Sequence, residues 1–162
     1  MAQNNTLIIF TPLNNEFLAT NFASLNFRNQ HPVLEFDEST DESAVFTGIM
    51  PNQYSGNGVT VYIHYCMATN NTGDINWEAS FERIGDQVLD IDSDSFATAQ
   101  TATETVPGTI GYVSSIGISF TDGAQMDAVA AGETFRLKIT RDADTDSAIG
   151  DAQLLAIEIR EN

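Results

Sequence analysis

The chain is poor in positive charge. It has a single lysine, Lys138, and six Lys plus Arg in all against 23 Asp plus Glu, for a formal charge of -17 over 162 residues. That scarcity argues against nucleic acid as a partner, because phosphate neutralisation needs clustered cations. It argues against an anionic membrane surface for the same reason. Cysteine is almost absent: Cys66 stands alone, so an intrachain disulfide scaffold and a zinc ribbon are both excluded. No apolar run approaches the roughly 20 residues of a membrane helix. The opening Met1-Ala2-Gln3-Asn4-Asn5 shows no basic stretch followed by a long apolar one, so no signal peptide is expected. Long amphipathic stretches of helical period are missing too, which disfavours an α/β fold.

What remains is a chain of one-domain length with two textures. Residues 1–32 mix apolar side chains with many asparagines and show no sustained period, apart from a possible strand at Leu7–Thr11. This reads as an irregular N-terminal arm. From Val33 to Asn162 the period becomes two, the strand signal. In Gly58–Met67, Val59, Val61, Ile63, Tyr65 and Met67 share one face, and Thr60, Tyr62, His64 and Cys66 share the other. Similar alternation marks Ala44–Met50, Ile75–Arg83, Ala99–Val106, Tyr112–Thr121, Thr134–Arg141 and Ala152–Arg160. Turn clusters separate them, among them Asn70-Asn71-Thr72-Gly73-Asp74, Pro107-Gly108 and Thr121-Asp122-Gly123. Only Ala124–Ala130 reads as helical. About eight short strands with almost no helix predict an all-β, antiparallel β-sandwich or jelly roll, residues 33–162, preceded by the arm.

The motifs with chemical potential are weak. Asp90-Ile91-Asp92-Ser93-Asp94 and Asp142-Ala143-Asp144-Thr145-Asp146 alternate carboxylates as a calcium loop does, but the glycine and glutamate of an EF-hand are missing from both. Solvated acidic loops account for them more simply. His64 and Cys66, two apart on one strand face, would start a zinc site or a nucleophilic pair. No second cysteine exists, and the other histidine is His31 in a His-Pro step. Glu78 and Glu82 resemble a glycosidase carboxylate pair only as closely as chance provides in so acidic a chain. Tyr54, Tyr62, Tyr65, Trp77 and Tyr112 would serve a sugar-binding face, although Trp77 shares parity with Phe81 and so reads as core. No nucleotide loop fits. None of these motifs brings in a cofactor or a metal, and the chain reads as a non-enzyme.

Three stretches carry a resemblance: Ala44-Val45-Phe46-Thr47-Gly48-Ile49-Met50-Pro51 followed by Gly58–Tyr65; Gly73–Arg83; and Thr121–Asp127 with Ala131–Leu137, Arg141-Asp142 and Gly150–Leu155. In these the chain resembles small β-sandwich virion proteins of tailed bacteriophages. The resemblance implies a capsid decoration or cement protein, a homotrimer bridging major capsid protein subunits on the virion exterior after synthesis in the host cytoplasm. It transfers no catalytic residue. Residues 1–32 fall outside the resemblance; in that arm Phe17, Phe22 and Phe27 are the expected interface anchors, because large aromatics dominate interface energy, with packing into the chain's own core as the competing role. The alternative is a phage tail or fibre component that binds host surface carbohydrate.

Overall fold

The computed structural model of the protein describes residues 5–69 and 72–162. Asn70 and Asn71 of the turn cluster before Gly73 lie outside the described residues, as do the first four residues of the expected arm. Among the described residues eleven strands form two antiparallel sheets packed face to face, so the all-β sandwich predicted from the sequence is what forms.

The first sheet holds β1 (Thr6–Phe10), β3 (Ser24–Arg28), β4 (His31–Phe36), β6 (Val59–Met67), β9 (Ser114–Phe120) and β11 (Ala152–Glu161). Its order is β3-β4-β11-β6-β9, with β1 also paired to β11. Strand β11 meets β4 over Ala152–Leu154 and β1 over Ile157–Arg160, while its other edge pairs β6 throughout. The second sheet runs β2 (Asn15–Glu16), β5 (Glu42–Ile49), β10 (Thr134–Arg141), β7 (Asp74–Ile84), β8 (Gln100–Thr105).

The alternation read from the sequence explains which side chains meet between the sheets. Val59, Val61, Ile63, Tyr65 and Met67 of β6 face Ile75, Trp77, Ala79 and Phe81 of β7 and Phe135, Leu137 and Ile139 of β10, all buried. Trp77 sits at the middle, with Phe36 edge-on at 5.0 Å and Tyr65 at 5.4 Å between ring centroids. Phe81 meets Phe120 edge-on at 5.0 Å and Phe135 at 5.5 Å. Each such pair is worth roughly 0.5–1.5 kcal/mol beyond the area it buries.

The asparagine-rich lead-in runs through both sheets. Strand β1 pairs β11, β2 pairs β5, and β3 pairs β4. The boundary at residue 32 falls inside β4. Arg28 pairs with His31, leaving Asn29 and Gln30 as a two-residue loop. Both have positive φ, 45° and 68°, the geometry whose twist matches a hairpin. Pro32 lies beyond the stretch of β4 that pairs β11, so its missing N–H breaks no ladder bond there.

Two local expectations change. Ala124–Met126 forms a single 3-10 turn, not a two-turn helix, because Asp127 and Ala128 take positive φ of 54° and 56° and end it. In β11 the pairing register shifts between Leu154 and Ala156. This β-bulge places Leu154, Ile157 and Ile159 in the core and leaves Leu155 and Ala156 partly exposed, so a simple alternation through Leu155 does not hold.

Candidate functional site

The two outer faces of the sandwich differ. On the second sheet the middle of the outward face is covered, while Thr47, Ile49 and the threonines of β8 stay exposed at its margins. Val45, Ser80 and Glu82 are buried there despite facing away from the core. Arg136 bonds both Glu16 and Glu82, at 3.1 and 2.9 Å. The ring of Phe96 lies against Arg136 and Lys138, at 5.4 and 4.7 Å. Cations and carboxylates satisfy one another on this side, and little is left to hold a ligand.

The outer face of the first sheet is open and more varied. At one end, Tyr62 of β6 leans toward Gly117 of the neighbouring β9: a Cβ on Gly117 would sit 3.1 Å from the ring. Glycine there is a matter of space. The Arg160 guanidinium packs on the same ring, 4.4 Å from its centroid. Arg160 also bonds Glu158 at 2.7 Å, and Thr6 donates to the same carboxylate. Arg160 first, then Thr6, hold the Glu158 carboxyl at about 2 against the opposing effect of burial. His64 stands 3.9 Å from Glu158. The result is a cluster of guanidinium, phenol, imidazole and carboxylate, with the guanidinium lying over the Tyr62 ring.

At the other end, about 13 Å along the strand from Tyr62 to Cys66, lies a cavity of about 260 Å³. Val33 of β4, Leu155 of β11 and Cys66 of β6 floor it. One wall is the β3–β4 hairpin, through Arg28, Asn29 and His31; the other is the loop entering β9, through Gly111 and Val113. The β11 bulge puts Leu155 into this floor. Tyr112, between Gly111 and Val113, is 67% exposed. Apolar floor, polar edge and an exposed aromatic beside it are the ingredients of a small-molecule or sugar site.

The residues singled out from sequence are distributed as follows. His64 and Cys66 do share the outer face of β6. Cys66 is buried, its thiol 3.9 Å from Gln153 Oε1. Burial pushes the Cys66 thiol up, and the Arg28 guanidinium offsets this only in part, so it is not an activated nucleophile. Asp90 receives the backbone N–H groups of Ser93 and Asp94 at its carbonyl and that of Asp92 at its side chain, which closes its own turn. Asp142 bonds Asn76 and Thr145, and Asp146 bonds Arg141. Among the described residues no three His, Cys, Asp or Glu side chains are grouped to hold a metal. Glu82 is spent on Arg136, and Glu78 stands apart with its carboxyl raised by burial. Tyr54, Tyr65 and Trp77 are buried, so only Tyr62 and Tyr112 remain of the aromatic set. Phe17 and Phe22 meet edge-on at 6.4 Å on the surface, and Phe27, on β3, is exposed as well. Arg28, Val113 and Leu155 carry no signal in the sequence: the hairpin, the loop and the bulge that assemble them are all tertiary.

No family model and no curated relative matches the sequence. Solved structures do. The second xylan-binding CBM22 domain of Xyn10C from Paenibacillus barcinonensis superposes with a TM-score of 0.53 at 11% identity, over 92% of both chains. The carbohydrate-binding module CBM6cm-2 of Cellvibrio mixtus lichenase 5A, solved with cellotriose, gives 0.49 at 11% identity over 98% and 99% of the two chains. A mannan-recognising module, TmCBM27, gives 0.48 at 11% identity over 99% of each. The likeness in fold to the xylan-binding domain overturns the expectation of a capsid decoration protein.

Proposed function

We propose that the protein is a non-catalytic carbohydrate-binding module whose glycan lies across the outer face of the six-stranded sheet. The observation that carries this reading is the open face itself. It joins the Tyr62–Arg160–Glu158–His64 cluster to a cavity of about 260 Å³ beside the exposed Tyr112. A sugar ring presents a C–H face to an aromatic or guanidinium plane and hydroxyls around its edge. Both kinds of partner stand here on rigid strands, where positioning is cheapest in entropy. The likeness in fold to a xylan-binding domain supports the choice of ligand class. The sequence alternative of a component that binds host surface sugar shares the same ligand class.

Affinity electrophoresis through gels holding soluble xylan, mannan or cellulose derivatives tests the reading. Migration should be retarded by at least one of them, and Tyr112→Ala or Arg160→Ala should weaken the retardation without lowering the melting temperature by more than a few degrees. Unretarded migration in every gel, with a silent glycan array, would overturn it.

A further inference from the structure

Four of the five arginines bond a carboxylate among the described residues, and the fifth, Arg28, lies in the cavity. Arg83, Arg136, Arg141 and Arg160 each bond a carboxylate within 4 Å, and Lys138 lies over the Phe96 ring. Arg28 makes no ion pair among the described residues, in a chain with 23 acids. Its Nη1 donates to the Met67 carbonyl at 2.9 Å and to Gln153 Oε1 at 2.8 Å. Its Nε and Nη2 bond no carboxylate or carbonyl among the described residues, and the Cys66 thiol is the other polar group beside the guanidinium. That edge of a guanidinium is one that grips a carboxylate with two parallel bonds.

The surroundings hold the group in place. Gly111 closes over it so tightly that a Cβ there would lie 2.9 Å from Nη2. The nearest acid on this face in the ladder, Glu35, is kept off. Its two oxygens accept from Asn26 at 3.1 Å and Gln153 at 2.6 Å, so it reaches Arg28 only through Gln153. His31, the register partner of Arg28 across the hairpin, lines the same cavity and brings ring nitrogens to it.

We infer that the Arg28 cavity receives a single carboxylate borne on a sugar, a uronic acid substituent of an otherwise neutral glycan. This rests on the carbohydrate-binding reading and names the substituent its surface selects. A polyuronate is the wrong partner. The charge of -17 repels a polyanion at long range, whereas one carboxylate entering beside Arg28 gains charge-assisted hydrogen bonds and little repulsion.

Titration calorimetry tests it with four probes: a neutral xylo-oligosaccharide, the same backbone with one glucuronic acid side group, free glucuronate, and oligogalacturonate. The substituted oligosaccharide should bind about tenfold tighter than the neutral one, the worth of a charge-assisted pair. Arg28→Gln should erase that difference, while Arg28→Lys, which keeps the charge and loses the planar edge, should keep part of it. Equal affinity for the two oligosaccharides in the native protein, or an Arg28→Gln variant that stays folded and keeps the preference, would overturn the inference while leaving sugar binding standing. Preference for oligogalacturonate would overturn it too. If glucuronate alone binds and loses affinity in Arg28→Gln while neither oligosaccharide binds, the cavity is a carboxylate site and the wider glycan reading fails. If no probe binds, both fail.

Discussion

Arg141 lies at the inner end of β10 with its side chain fully buried, yet all five of its N–H groups are occupied. Nε and Nη2 reach Asp146 at 2.8 and 3.4 Å; Nη1 reaches the carbonyls of Gly150 and Phe36 at 2.8 and 3.4 Å; Nη2 also reaches the Ala148 carbonyl at 2.8 Å. Asp146 is 2% exposed. Arg141→Met fills the same space with an apolar chain but strands a buried carboxylate and three carbonyls. Breaking a buried pair from one side costs about 3–5 kcal/mol, a large share of a stability of roughly 5–15 kcal/mol. In a chain of this length that lowers the melting temperature by about 6–20 °C. Removing Asp146 as well, in Arg141→Met/Asp146→Leu, should return part of the loss and not all, because the three carbonyls remain without a donor. Trp77, the only tryptophan, pairs with Arg141 across the ladder, so its emission reports the melt at the right place. A single variant that loses less than about 1 kcal/mol, as an exposed pair would, would refute the argument that this guanidinium ties loop 142–151 to the end of β4.

Three further outcomes follow from other parts of the molecule. Burial raises the Asp151 carboxyl against the opposing bond from the Glu38 N–H, and repulsion from Glu35, Asp37 and Glu38 adds to the rise; the folded state therefore binds this proton more tightly than the unfolded chain. Asp151→Asn should stabilise the protein at pH 7, with an advantage that shrinks as pH falls through the raised value and the native carboxyl protonates within the fold; urea titrations at pH 7 and 4.5 check it, and a difference that stays constant or grows as pH falls would refute it. Gly117→Ala has an ordinary strand backbone and should change stability by no more than about 1 kcal/mol, but its methyl displaces the Tyr62 ring and should weaken glycan retardation in the gel. Cys66, 1% exposed, should react with a thiol reagent only on unfolding, at a rate that follows denaturant concentration; prompt labelling of the native protein would show that the cavity floor opens.

The strands from β5 onward were legible because each has one wet face and one dry one. Thr134–Arg141 matches β10 to the residue, since Phe135, Leu137 and Ile139 alternate strictly with Arg136, Lys138 and Thr140. Strands β2 and β3 gave no such pattern. Their side chains are mostly exposed or half-exposed on both faces, so nothing in their composition separates core from solvent. Strand β4 was hidden behind Pro32, which reads as a breaker until its place outside the β11 pairing is known. The site was less legible than the fold. Tyr62 and Tyr112 were among the aromatics named for sugar, and the parity that set Tyr65 with Val61 and Ile63 matches its buried ring, whose hydroxyl donates to Glu104 at 2.9 Å. Arg28 was invisible because its isolation from carboxylates is a property of space.

The position of β11 sets the order of events when the chain is made. Residues 152–161 form the strand against which β1, β4 and β6 all pair. Until they leave the ribosome, the six-stranded sheet has no centre, and the apolar sides of β4 and β6 wait uncovered. Folding of this sheet is therefore a late step driven by distant pairings, which places it among slow folders of the millisecond-to-second range. Throughout that wait the surplus of carboxylates gives nascent chains a reason to avoid each other. The acidity that leaves so few cations for ligand binding is also what keeps the unfinished sandwich from associating before its last strand arrives.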